Sequence, residues 1–162
     1  MLPQKVIHGM LPSLNSFSRS EEGRVNSELV LQAVRATLAG SLPFPEIVRN
    51  LIGAGVEYYH VDYILLQFTF YGVNASSVVA PLTFEGLPAV ATDFDVAALR
   101  QAILDSQQKE QTYREFSQRA MRAGVQSYFA FLQGTRVTYL GRQGDQHTEW
   151  FPGAEPKTNL RD

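Results

Sequence analysis

Apolar residues at Leu29, Val30, Ala33, Val34 and Leu38 recur at helical spacing, with Asn26 ahead of them as a cap and Gly40 behind them as a stop. A second helix is expected after "LPFPE", whose prolines suit a first turn, with Ile47, Val48, Leu51 and Ile52 as its buried face before Gly53 and Gly55. The period then changes from helical to alternating. Strands are expected near Val56–Tyr63 and Gln67–Tyr71, with Val78–Ala80 as a short third. The same grammar returns further on. Thr92 or Asp93 caps a helix through Val96, Leu99, Ala102 and Ile103, and "TYRE" (Thr112–Glu115) reads as a capping box for the next. Strands near Val125–Leu132, Arg136–Leu140 and Gln146–Phe151 follow, joined by the turns "QGT" and "GRQGD".

This recurrence has a fixed offset. A shift of 69 residues pairs Leu31–Gly72 with Arg100–Gly141 without a gap (100 − 31 = 69). Gln32/Gln101, Ala33/Ala102, Glu46/Glu115, Ala54/Ala123, Gly55/Gly124, Val56/Val125, Tyr59/Tyr128, Thr69/Thr138 and Gly72/Gly141 are identical. Chance would supply about two or three such matches at average composition. The expected fold class is therefore α+β, with two helix-helix-antiparallel-strand units in an internal pseudo-twofold repeat. In domain terms, residues 1–24 form an N-terminal extension, 25–152 one domain built of repeats 25–81 and 94–152, and 153–162 a C-terminal tail. In both copies Ala-Gly-Val marks a helix-to-strand joint, because a left-handed residue there costs least as glycine.

Composition narrows the function classes. With 162 residues, 44% of them hydrophobic, and a net charge of −2, the chain suits a single globular domain. Its 14 Lys and Arg are scattered, so no footprint for a phosphate backbone is expected and nucleic acid is not a partner. The absence of cysteine excludes disulfides and thiolate chemistry, and fits a cytoplasmic location. The nearly uncharged run Tyr63–Val73 is far shorter than the roughly 20 residues that span a bilayer. No membrane association and no secretory signal are expected.

The order of "FPEIVRNLIGAGVEYYHVDY", "FTFYG", a Pro-containing connector, "AGVQSY", "RVTYLG" and "GD" resembles a family of uncharacterised bacterial proteins often labelled phage envelope proteins. That resemblance covers roughly residues 26–152 and implies no activity. Its label implies a virion component.

Candidate chemistry gathers on the first strand. By strict alternation Glu57, Tyr59, Val61, Tyr63 and Leu65 share one face and Val56, Tyr58, His60 and Asp62 the other. The second copy has Ser127, Phe129 and Phe131 where the first has Tyr58, His60 and Asp62. Tyr58, His60 and Asp62 are thus the candidate ligand-binding residues. At roughly 6–7 Å spacing His60 and Asp62 can both reach one bound group, with Tyr58 as a hydrogen-bond donor. The bland alternative is a solvated strand face. A metal site would need His60 and Asp62 to meet the second pair, His147 and Glu149. No Gly-flanked nucleophilic serine is present, and "GRQGD" lacks the spacing of a phosphate loop, so no cofactor is expected.

Tyr58, Tyr59, Tyr63, Phe68, Phe70 and Tyr71 either pair across strands in the core or line a pocket. Ile64, Leu65 and Leu66 stand where the second copy has Gln133, Gly134 and Thr135, which makes them a candidate partner interface. A small-molecule-binding or interaction domain is the expected function, with a small-molecule ligand and homo-oligomers as its partner classes. A hydrolase-like enzyme, metal-assisted or using His60 and Asp62 as acid and base, is the alternative, and catalytic residues are not assigned.

Overall fold

The computed structural model describes residues 24–157. Apart from Arg24, the expected N-terminal extension lies outside them, as do residues 158–162 of the tail. Helices α1 (Ser27–Ala39) and α2 (Phe44–Gly53) lead into strands β1 (Val56–Asp62), β2 (Gln67–Gly72) and β3 (Ser77–Pro81). Helices α3 (Val96–Gln108) and α4 (Tyr113–Arg122) lead into β4 (Val125–Phe131), β5 (Arg136–Gly141) and β6 (Gln146–Trp150). Both ends of each element lie 69 residues from its counterpart, as in α1 and α3 (96 − 27 and 108 − 39). The repeat therefore extends through β3 and β6, beyond the stretch that sequence identity delimits.

The strands form a single antiparallel sheet ordered β3-β2-β1-β4-β5-β6. The halves join where β1 pairs with β4. His60 lies opposite Phe129, its own counterpart at the 69-residue shift, while Tyr58 lies opposite Phe131 and Asp62 opposite Ser127. A pseudo-twofold axis must pass through the His60–Phe129 pair.

Local chemistry explains the joints. Asn26 accepts from the Leu29 amide and Asp95 from the Ala98 amide, which caps α1 and α3. Neither Thr92 nor Asp93 is the cap. The Asp95 amide donates to Ala123 O, and Asp93 O lies against Gly124, so the chain stays extended until Asp95. Gly55 and Gly124 have φ of +85° and +93°, and a Cβ would lie 3.1 Å from Arg24 O in the first and 2.2 Å from Asp93 O in the second. The positive φ favours glycine at both joints, and at Gly124 the close backbone approach also excludes a Cβ. At α4 the expected capping box is present: the Glu115 amide donates to Thr112 Oγ1 and the Thr112 amide to Glu115 Oε2. In the β1–β2 and β4–β5 hairpins the residues with positive φ are Leu66 and Thr135, both at 52°, rather than Gly134.

Strict alternation fails at one place in each half. The β1–β2 register shifts between Val56 and Tyr58, and the β4–β5 register between Val125 and Ser127. These bulges insert Glu57 and Gln126 and turn Val56 and Val125 onto the buried side. Val56 consequently leaves the face of Tyr58, His60 and Asp62, and Glu57 leaves that of Tyr59.

The core lies between the helices and one sheet face. Val30, Leu51, Val61, Leu99 and Val125 are fully enclosed. Leu29, Ile52 and Val96, expected on the apolar stripes, are exposed. Tyr59, Tyr63, Tyr128 and Tyr139 are also buried, with Tyr113 at their edge. The Tyr63 hydroxyl bonds to Ser117 Oγ at 3.0 Å, and those of Tyr113 and Tyr128 bond to each other. Burial pushes Tyr63 up to about 12 and also raises Tyr59, Tyr113, Tyr128 and Tyr139. Phe68 and Phe70 belong to this core, whereas Tyr58 and Tyr71 do not.

Candidate functional site

The sheet face away from the core presents three cross-strand rows, fixed by the register. One row runs Ser77, Tyr71, Tyr58, Phe131, Arg136, Trp150. The central row runs Val79, Thr69, His60, Phe129, Thr138, Thr148. The last runs Pro81, Gln67, Asp62, Ser127, Leu140, Gln146. Ser127 is buried, and the other residues of these rows are half-buried or exposed.

Five rings on this face touch in sequence. Tyr71 stacks on Tyr58 at 4.7 Å between centroids, Tyr58 meets Phe131 at 5.9 Å, Phe131 stacks on Phe129 at 5.8 Å, and Phe129 meets His60 at 4.4 Å. Such pairs stabilise a sheet, and they also form a flat apolar platform. Arg136 continues the row with its guanidinium 4.4 Å from the centre of the Trp150 ring.

The candidate residues fall at different places on this face. Tyr58 stands between two open grooves. A groove of about 410 Å³ is lined by Glu57, Tyr58, Phe131, Gln133, Gly134, Arg136, Thr138 and Thr148. Another, of about 570 Å³, runs from Glu57 and Tyr58 past Tyr71 to Asn74 and Ser77. His60 lies on the axis against Phe129. Burial lowers its pKa from 6.5 while Asp62 acts in the opposite sense, so its ring is neutral at physiological pH. Asp62 Oδ1 accepts from the Ile64 amide at 2.8 Å and the Leu65 amide at 2.9 Å, which closes the β1–β2 hairpin.

His147 and Glu149 are on the opposite side of the sheet from His60 and Asp62, because His147 pairs with Tyr139 and Glu149 with Val137 on the core face. They bond to each other at 2.8 Å. The two pairs cannot form one metal site, and no cluster of three His or acidic residues suited to a metal occurs among the described residues. At the hairpin tip Ile64 and Leu65 are 59% and 67% exposed, while Leu66 packs against the core.

Residues 41–148, from the loop before α2 into β6, match the family described as a protein of unknown function, DUF1398. The chain belongs to the DUF1398 family. No curated protein matches it. In this DUF1398 chain no described helix is long and apolar enough to cross a membrane.

Sequence reasoning missed Phe131, Arg136, Thr138, Thr148 and Trp150 as groove or platform residues. The 69-residue shift carried the signal. Outward positions differ between copies as Tyr58/Ser127, Asp62/Phe131, Gln67/Arg136, Tyr71/Leu140 and Pro81/Trp150, whereas core positions such as Tyr59/Tyr128 and Val56/Val125 are kept. Each outward pair has one member in the Tyr58 row and the other in the Asp62 row, and the rings and the cation all fall in the former, at the end where β1 begins and β4 finishes.

Proposed function

We propose that this DUF1398 chain is a non-catalytic small-molecule-binding domain and that its ligand lies on the aromatic end of the outer sheet face. The carrying observation is the Tyr71–Tyr58–Phe131 row, flanked by two grooves and continued by a solvent-exposed guanidinium. Half-exposed rings that already stack on neighbours offer apolar area at little further cost in side-chain ordering. Tyr58 remains in this site, and His60 adjoins it through Phe129. An acid–base enzyme built on His60 and Asp62 draws less support, since Asp62 already serves the hairpin amides.

A second reading, interaction with another protein chain, rests on the exposed Ile64 and Leu65 at the far hairpin tip. A second copy of the chain or a virion neighbour would use that tip. Native mass spectrometry of the protein purified from its own cells tests the two readings together. Retention of a small molecule, lost in Tyr58→Ser with unchanged circular dichroism, supports binding on the outer face. A retained species indifferent to Tyr58→Ser refutes it, and oligomers abolished by Leu65→Ser favour the second reading.

A further inference from the structure

The groove between β1 and β5 contains an unused cation. Arg136 has no ion pair and no side-chain hydrogen bond with a described residue, although a guanidinium carries five donors. Its guanidinium lies over the Trp150 ring, and Arg136 lines the groove. Beside it Thr138 and Thr148 share one hydrogen bond of 3.0 Å between their hydroxyls. In such a pair one hydroxyl donates and the other keeps its proton for a further acceptor. Tyr58 and Phe131 form the apolar wall, and Glu57 lines the groove with no side-chain partner among the described residues. A flat ring would be held by the wall. An anionic group is attracted by Arg136 and the free threonine hydroxyl and repelled by Glu57, which sets the direction of the ligand.

The opposite end of the face supports this by contrast. Related by the repeat, Gln67 stands for Arg136, Ser127 for Tyr58, Asp62 for Phe131 and Pro81 for Trp150. The hairpin tip bordering the aromatic groove is Gln133–Gly134, where the other copy places Ile64–Leu65. Cation, rings and small tip therefore all occur at one end and none at the other. The face is unsuited to a nucleic-acid strand, since Glu57 and Asp62 outnumber Arg136 on it.

We infer that the Arg136 groove binds a small planar ring bearing a carboxylate or phosphate, with the ring on Tyr58 and Phe131 and the anion on Arg136 and the Thr138–Thr148 pair. This assignment rests on the binding reading above. It is tested by titrating the isotope-labelled protein with phenylacetate, its neutral isostere phenylacetamide, and acetate. A parallel arm compares adenosine monophosphate with adenosine, and the tighter anionic probe identifies carboxylate or phosphate. Anionic ring probes should shift the resonances of Phe131, Arg136, Thr138 and the indole N–H of Trp150, whereas acetate alone should not. Arg136→Gln should weaken anionic probes roughly 10- to 100-fold and leave neutral ones unchanged. Arg136→Lys should keep part of the preference.

Equal binding of neutral and anionic rings on this face overturns the ligand class while leaving the face as a binding surface. Tighter binding of a single-stranded oligothymidine than of either monomeric probe overturns it in favour of nucleic acid. Absence of shifts with every probe overturns it as well, and retention of a native ligand that depends on Tyr58 would then show that the binding reading itself survives.

Discussion

Raising the pH above 10 should unfold this protein through its own core. Tyr59, Tyr63, Tyr128 and Tyr139 are between 2% and 6% exposed. Burial holds their folded-state pKa values above the ordinary 10.0, with Tyr63 up to about 12. A raised folded pKa means that the folded state binds the proton more tightly. The associated stability is complete below pH 10 and is lost as pH rises from there through the folded values. One unit above 10, each tyrosine freed by unfolding stabilises the unfolded chain by about 1.4 kcal/mol, so four contribute about 6 kcal/mol. That matches the whole stability of many domains, roughly 5–15 kcal/mol.

The expected result is a cooperative loss of far-ultraviolet circular dichroism between about pH 11 and 12, with buried tyrosinate absorbance rising in the same transition. Tyr63→Phe should reduce the pH slope of stability above 10 by about 1.4 kcal/mol per unit. At neutral pH it should cost about 1 kcal/mol, because Ser117 loses its partner. Gradual ionisation of all seven tyrosines near 10 with the fold intact would refute the reasoning.

Gly124→Ala should destabilise more than Gly55→Ala in chemical denaturation: the added Cβ at position 55 costs about 1–2 kcal/mol for its positive φ, whereas at position 124 it also collides with Asp93 O at 2.2 Å. Equal losses would contradict the difference in backbone approach. Asp62→Ala should cost about 1 kcal/mol by freeing the Ile64 and Leu65 amides, and leave ligand affinity unchanged. A loss of affinity without a loss of stability would place Asp62 in the site. His60 should titrate below 6.5 by nuclear magnetic resonance. Because its folded pKa is depressed, its contribution to stability is present above 6.5 and lost as pH falls below it, a loss that His60→Phe should remove. Parallel pH–stability curves for the two proteins would refute this.

The repeat was readable in the chain because burial constrains it. Core positions tolerate few side chains, so Tyr59/Tyr128 and Val56/Val125 survive in both copies. Ala-Gly-Val was readable because the positive φ favours glycine at both joints, and at Gly124 the close backbone approach also excludes a Cβ. From these, element type, order and spacing follow by local rules. The family match to DUF1398 agrees with that reading and adds no chemistry to it.

Other features depended on pairing. A bulge is a mismatch between two strands, so alternation within β1 alone placed Val56 on the wrong face. The cap of α3 moved from Thr92 or Asp93 to Asp95 because the preceding backbone is held across the Gly124 joint. Sheet register likewise decided the site. Tyr58 and Phe131 lie 73 positions apart (131 − 58), and they meet through the β1–β4 pairing about the pseudo-twofold axis. Arg136 and Trp150 enter the same row through two further pairings. His60, Asp62, His147 and Glu149 show the converse: similar spacing in sequence, but opposite faces of the sheet. Local sequence determined which segments are helices and strands, since dihedral preference and side-chain period act over a few residues. Only long-range strand pairing decided which side chains share a surface, because a one-residue change of register exchanges the two faces.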